Sequence, residues 1–200
     1  TLTFWTQPTA DAGINGSMCG DGTYQVLDAS ATDYASVLWT LNAEAEGSLS
    51  GETTLTPVYT PDLAGDDMTA GSVTLTLTVQ PQNAACTQVT DAMTISLTTV
   101  PTVSAGDDAV ICSTNTDYEL NGTSNASVLW TTSGTGTFDD ATLAAATYTP
   151  SAADRADGQV VLTITTTTTG SCENISDAMT LTFWTQPTAD AGINGSICGD

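Results

Sequence analysis

The sequence predicts an all-β protein made of tandem β-sandwich domains that form an extended rod. Three observations carry this. Apolar residues alternate with Thr and Ser in segment after segment, helical periodicity is almost absent, and a long stretch of the chain repeats. At 72–79, Val73, Leu75, Leu77 and Val79 share one face and Thr lines the other. Val160, Leu162 and Ile164 repeat the pattern, as do Met93, Ile95 and Leu97, and Met179, Leu181 and Phe183. Period two with Val and Thr enrichment is the signature of a half-buried antiparallel strand.

The repeat sets the organisation. Residues 1–17, TLTFWTQPTADAGINGS, recur unchanged at 180–196, an offset of 179 residues. The match continues through a Cys, GSMCG at 16–20 and GSICGD at 195–200. The chain reads as one full period plus the first steps of the next. A weaker period lies inside it: SVLWT at 36–40 and 127–131, DAMT at 91–94 and 177–180. PT-x-x-AG occurs at 8–13, 101–106 and 187–192, spaced by 93 and 86 residues from glycine to glycine. The period is thus a pair of related domains of ordinary size. Residues 1–8 read as the last strand of a preceding repeat, 9–101 as domain 1, 102–187 as domain 2, and 188–200 as the start of the next repeat.

Each domain reads as about seven short strands. In the first they lie near 14–19, 23–29, 36–41, 47–50, 54–60, 72–80 and 91–99. In the second they lie near 108–113, 117–122, 127–132, 136–138, 145–149, 159–168 and 177–185. Turns rich in Gly, Asp, Asn and Ser separate them. Seven short strands in about 90 residues point to an immunoglobulin-like sandwich. A short capped helical turn is expected after Pro61 and after Pro150, where small and acidic residues run on to a Gly. Trp39 and Trp130, on the inward face of SVLWT, are expected core anchors. Tyr59 and Tyr148, each before Thr-Pro, read as core-edge tyrosines with a bonded hydroxyl.

Composition narrows the function. One Arg, no Lys and no His stand against 23 acids, for a net charge of −22. Nucleic-acid binding is excluded on charge, since phosphate neutralisation needs Lys and Arg. An anionic membrane surface is disfavoured for the same reason. No run of 18 apolar residues occurs, so no membrane insertion is expected. The acids read chiefly as a solvated surface.

Five Cys become regular once the repeat is applied. Cys19, Cys112 and Cys198 each stand six residues after a linker glycine; Cys86 and Cys172 each precede a last strand. The expected pairing is within each domain, Cys19–Cys86 and Cys112–Cys172, with the partner of Cys198 beyond the chain. Loops of 60 to 70 residues closed this way stabilise by about 3–5 kcal/mol in the chain-entropy account. Zinc is the alternative, but there is no CxxC and no His. Disulfides place the chain in an oxidising compartment, outside the cell.

The motifs AG-x5-C, SVLWT, YTPSAAD and C-x3-SDAMTL resemble PKD-like or Ig-like repeats of very large Bacteroidota surface proteins, including gliding-motility adhesins. The likeness covers both domains. The first departs modestly, with TPVYTPDLAGDDMTAG where the second has AATYTPSAADRADG. The resemblance implies a secreted, fibre-forming array, exported by the gliding-associated type IX system.

Paired acids such as Asp107-Asp108 and Asp139-Asp140 could serve acid/base chemistry, but no His, Lys or nucleophile arrangement accompanies them. No enzymatic role is expected. Asp11, Asp107, Asp108 and Asp190 flank the domain junctions and could hold Ca²⁺, though no strict calcium-loop pattern occurs. No other cofactor is expected. Trp5 and Trp184 should point outward, beside the linker prolines Pro8 and Pro187; Pro101 marks the other joint, with Thr98 in place of the Trp. An outward Trp needs a partner. The expected one is the start of the following domain, near Ala12 and Ile14 or Ala191 and Ile193. Asn15, Asn121, Asn125, Asn174 and Asn194 lie in N-x-S/T, glycan sites only in a eukaryotic secreted protein.

The functional expectation is a structural and adhesive segment of an extracellular array, whose partners are neighbouring repeats and, secondarily, other fibres or surface glycans. Two alternatives are a pilin-like subunit with 1–7 as a donated strand and a glycan-binding repeat.

Overall fold

A computed structural model describes residues 2–63, 65–167 and 170–198. The last residue of the expected strand 159–168, and the outermost residues of the two terminal segments, lie outside these. The chain divides into two units. Unit 1 holds Thr1–Pro101 with Thr168–Glu173, and unit 2 holds Thr102–Thr167 with Asn174–Asp200.

Unit 1 runs β1 (Thr9–Asp11), β2 (Gly16–Cys19), β3 (Tyr24–Gln25), β4 (Ser30–Thr32), β5 (Tyr34–Leu41), β6 (Ser48–Ser50), β7 (Val58–Thr60), α1 (Asp66–Ala70), β8 (Ser72–Pro81) and β9 (Val89–Thr98). One sheet has the order β2-β9-β8-β5 and the facing sheet β3-β7-β6, with β1 paired to β4. β8 and β9 form an antiparallel hairpin, Val79 opposite Val89 and Ser72 opposite Ser96. β2 runs parallel to β9, from Gly16 opposite Ile95 to Cys19 opposite Thr98.

The alternation seen in the sequence makes the core. Val73, Leu75, Leu77 and Val79 of β8, with Met93, Ile95 and Leu97 of β9, are buried against Trp39 and Tyr59. Each such side chain contributes about 1.5–3 kcal/mol by leaving water.

Unit 2 repeats the plan: β10 (Val103–Ser104), β11 (Ala109–Cys112), β12 (Tyr118–Glu119), β13 (Thr123–Ser124), β14 (Val128–Thr132), β15 (Thr137–Phe138), β16 (Thr147–Thr149), α2 (Ala152–Asp157), β17 (Gln159–Thr166) and β18 (Ser176–Trp184). Its sheets are β11-β18-β17-β14 and β12-β16-β15, with β10 paired to β13. Again the first strand of the larger sheet runs parallel to the last, Ala109 opposite Leu181 and Cys112 opposite Trp184. Trp130, Tyr148, Leu162, Ile164, Met179 and Leu181 fill the core, and the rings of Phe138 and Tyr148 stand 5.1 Å apart.

Two differences from the sequence reading have local causes. The PT-x-x-AG segment is more than a linker. Residues 9–11 and 103–104 pair as short strands with β4 and β13, then the chain changes sheets at Gly13 or Gly106. Both glycines have positive φ, 87° and 82°, and a Cβ on Gly13 would collide with Asp28. The carboxylates of Asp91 and Asp177, the Asp of DAMT, accept from Ala12 N at 2.7 Å and Ala105 N at 2.8 Å.

The second difference corrects the cysteine pairing. Cys19 is bonded to Cys172, at a Cα separation of 4.7 Å, while Cys86 and Cys112 carry free thiols. The expected Cys19–Cys86 and Cys112–Cys172 bridges are not formed. Because β2 parallels β9, Cys19 lies at the far end of β9, whereas Cys86 lies before its start. Ten residues of strand span about 30 Å, far beyond the reach of a disulfide. In unit 2, Cys112 stands opposite the end of β18, whereas Cys172 precedes the start of that strand in the chain.

Candidate functional site: the strand ends and their cysteines

The distinctive chemistry lies at the C-terminal ends of β9 and β18. In unit 1, Gly20 N donates to Thr98 O at 3.0 Å, which continues the β2–β9 ladder past Cys19. The segment carrying Cys172 lies on this end. Cys172 Sγ is 3.5 Å from Thr98 O and 3.6 Å from Thr99 O. The Ser171 hydroxyl donates to Ser17 Oγ at 2.7 Å. Gly170, at φ 142°, allows the close approach, since a Cβ there would meet Thr98 Oγ1.

The end of β18 has the same frame. Ser113 N donates to Trp184 O at 2.8 Å, and Cys112 stands in register with Trp184. The Thr114 hydroxyl donates to Cys112 Sγ at 3.1 Å. That bond, helped by the Thr114 and Ser113 amides, holds the thiol below its ordinary pKa. An open cleft of about 430 Å³ lies here, lined by Val110, Cys112, Thr114, Trp184, Gln186 and Pro187.

A third copy of the arrangement is partial. Cys86 Sγ is 3.8 Å from Trp5 O and 3.6 Å from Thr6 O. Gln7 Nε2 donates to Thr87 O at 2.6 Å and to its hydroxyl at 2.9 Å. Residues 5–7 are the same tripeptide as 184–186.

The remaining candidates fall as follows. Trp39 and Trp130 are buried, and their indole N–H groups donate to Thr54 O at 2.9 Å and Ala144 O at 3.1 Å. Trp5 is half exposed and Trp184 is 68% exposed. Ile193 is 98% exposed and Ile14 is exposed as well, while Ala12 is buried in the core. Pro8 and Pro101 are buried and Pro187 is exposed. Cys198 is an exposed thiol.

Three of the four candidate calcium acids accept from backbone amides. Asp11 accepts from Gly13 N, Asp190 from Gly192 N and Asp108 from Thr180 N, at 2.7 to 2.9 Å; Asp107 is exposed. Among the described residues no three acids or cysteines gather closely enough to hold an ion.

Sequence reasoning missed a buried Tyr–Asp pair in each unit. Tyr59 donates to Asp67 Oδ2 and Tyr148 to Asp154 Oδ2, both at 2.7 Å. The Asp67 carboxylate also accepts from the Glu46, Gly47 and Asp62 amides. The Asp154 carboxylate accepts from the Thr135 and Ser151 amides, and Ser151 caps α2 in return. Burial by itself would raise each carboxyl, but the donors outweigh it. Asp67 is held below its ordinary value and Asp154 at about 2. Burial first, then the Asp154 bond and charge, push Tyr148 up to about 12, and Tyr59 is raised likewise. The visible signal was an acid shortly after each YTP. The single Arg, Arg155, donates to Pro150 O at 2.7 Å and Asn115 O at 2.8 Å.

This geometry defines a class, the immunoglobulin-like β-sandwich, and solved structures agree on the fold. No protein-family profile matches the sequence, and no curated protein matches it. The chain is similar in structure to four N-terminal Ig domains of Dscam1 isoform 6.9 (TM-score 0.53, 9% identity, 89% of this chain and 46% of that one). It is also similar to the protocadherin gammaB7 EC3-6 cis-dimer structure (TM-score 0.51, 12% identity, 92% and 48%). The chain thus spans about half the length of each.

Proposed function

We propose that this chain is a structural and adhesive segment of an extracellular array, built from two-sandwich periods and held by disulfides. It has no enzymatic role in this reading. Its task is mechanical: sandwiches resist extension, and cross-links limit unravelling of a stalk for surface attachment or gliding. The carrying observation is the unchanged recurrence of 17 residues at an offset of 179. An exact tandem copy argues for a unit multiplied to make length. The likeness to tandem-domain structures and the surface-adhesin motifs support the same reading, as does the Cys19–Cys172 bond, which suits an oxidising exterior. Neighbouring repeats are the first partners.

One observation favours a second reading, a polymerising subunit with residues 1–7 as a donated strand. Leu2 and Phe4 are exposed, whereas their copies Leu181 and Phe183 are buried in unit 2. A reducing gel of native material, probed with antibody to this chain, separates the two. A single very large polypeptide supports the array. A band near 20.4 kDa overturns it in favour of subunits.

A further inference from the structure

We propose that Cys112 of each 179-residue period forms a disulfide with Cys86 of the following period, so that every sandwich is stapled to the next. The inference rests on the array reading above, and three observations carry it.

First, the two halves of the bond are both displayed, on two copies of one tripeptide. Cys86 lies against the carbonyls of Trp5 and Thr6, at 3.8 and 3.6 Å. Cys112 stands in register with Trp184, the copy of Trp5. Where residues 184–186 hold the Cys86 of the following period as residues 5–7 hold Cys86 here, that cysteine lies on the strand end that Cys112 flanks. Gln186 then meets the copy of Thr87, as Gln7 meets Thr87 here.

Second, the completed arrangement exists at Thr98. Cys172 lies against the carbonyls of Thr98 and Thr99, Cys19 stands in register with Thr98, and the two sulfurs are bonded. The domain spacings of 93 and 86 residues carry Cys19 onto Cys112, Thr98 onto Trp184, and Cys86 onto Cys172. All the cysteines then obey one rule: a first-strand Cys bonds the Cys that precedes the last strand of the next sandwich.

Third, the surfaces match in kind. At the bonded site Ser171 meets Ser17, and Gly170 lies on Thr98. At the Cys112 site the positions of Ser17 and Thr98 are taken by Val110 and Trp184, both well exposed. The loop positions of Gly170 and Ser171 are taken, before Cys86, by Ala84 and Ala85. The bonded junction sets Ser171 on Ser17, and the Cys112 site offers apolar side chains to a loop that carries two alanines in place of Gly and Ser.

The oxidant is a disulfide donor, a small-molecule or protein dithiol in its oxidised form. The Cys112 thiolate, favoured by the Thr114 bond, attacks one donor sulfur and expels the other as a thiolate. The incoming Cys86 thiolate then attacks the Cys112 sulfur and expels the second. The two protons lost by the cysteines end on the two donor thiols, and the donor carries away both electrons.

The test is a chain of two consecutive periods, residues 1–179 followed directly by 1–200, oxidised with oxidised glutathione. Bridges are mapped by non-reducing proteolysis and mass spectrometry. The expected map has Cys19–Cys172 in each period and Cys112 of the first bonded to Cys86 of the second. Three thiols of nine then remain open to alkylation. Cys112→Ser in the first period should raise this to four and leave both Cys19–Cys172 bridges in place, which shows that the variant folds. Alkylation of both Cys112 and the second Cys86 in the oxidised parent overturns the proposal, as does a Cys112–Cys172 bridge. The gel reads the array and the map reads the bond, so failure of one is distinct from failure of the other.

Discussion

The same seven residues, TLTFWTQ, stand twice in this chain under opposite conditions. At 180–186 the first five of them form the second half of β18, where Leu181 is 0% and Phe183 5% exposed. At 1–7 they form no strand among the described residues, and Leu2 and Phe4 are 78% and 86% exposed. Yet the end of each copy meets a cysteine: the Trp5 and Thr6 carbonyls lie against Cys86, and Trp184 stands in register with Cys112. Burial is therefore conferred by β17 and β11, which flank β18, whereas the cysteine contact belongs to the strand end itself.

The sharpest way to break this comparison is to truncate the same side chain in both copies. Phe183→Ala should destabilise unit 2 by about 3–5 kcal/mol, and Phe4→Ala should change stability by less than about 0.5 kcal/mol. Denaturant unfolding reads both; equal losses would show that residues 1–7 are packed. Next in size is the bridge. Cys172→Ser should cost unit 1 about 2–4 kcal/mol, while Cys112→Ser in this 200-residue chain should leave its melting unchanged. A loss from Cys112→Ser would mean that its thiol is already engaged.

The two Tyr–Asp pairs extend the comparison to smaller effects. Tyr148→Phe removes a bond to a buried carboxylate and should cost about 1.5–3 kcal/mol. The pH profile follows from Asp154. Its folded pKa, about 2, lies below the unfolded value of 3.8. Its stabilisation is thus complete above pH 4 and is lost as pH falls from about 4 to about 2. Asp154→Asn should flatten that part of the profile, as read by thermal melts across the range. An unchanged profile would place the carboxylate outside the Tyr148 pair. The smallest expected effect is that of EDTA, which should leave the melting midpoint where it was, since Asp11, Asp108 and Asp190 already serve backbone amides.

Much of the fold was legible because period two is a local property. The face shared by Val73, Leu75, Leu77 and Val79 can be read with no knowledge of neighbours. The cysteine pairing was not legible for the complementary reason. Alternation does not say which strands are adjacent, nor that β2 and β11 run parallel to β9 and β18. Without that direction, Cys19 and Cys86 look like two ends of one closed loop. The structure puts them at opposite ends of a ten-residue strand. The role of Asp91 and Asp177 was hidden likewise: DAMT was visible as a repeat, but its Asp acts on amides 79 and 72 residues away. Tyr59 and Tyr148 were recognised as hydroxyls in need of a partner, and the acids that serve them lay 8 and 6 residues further on.

The central claim is that the first-strand cysteine bonds the cysteine preceding the last strand of the next sandwich and not the one in its own. The most direct measurement is a bridge map of the oxidised 200-residue chain, cut with a protease specific for Asp because the sequence offers trypsin a single Arg. The account predicts one bridge, Cys19–Cys172, with Cys86, Cys112 and Cys198 alkylated. A Cys19–Cys86 bridge accompanied by Cys112–Cys172 would contradict it.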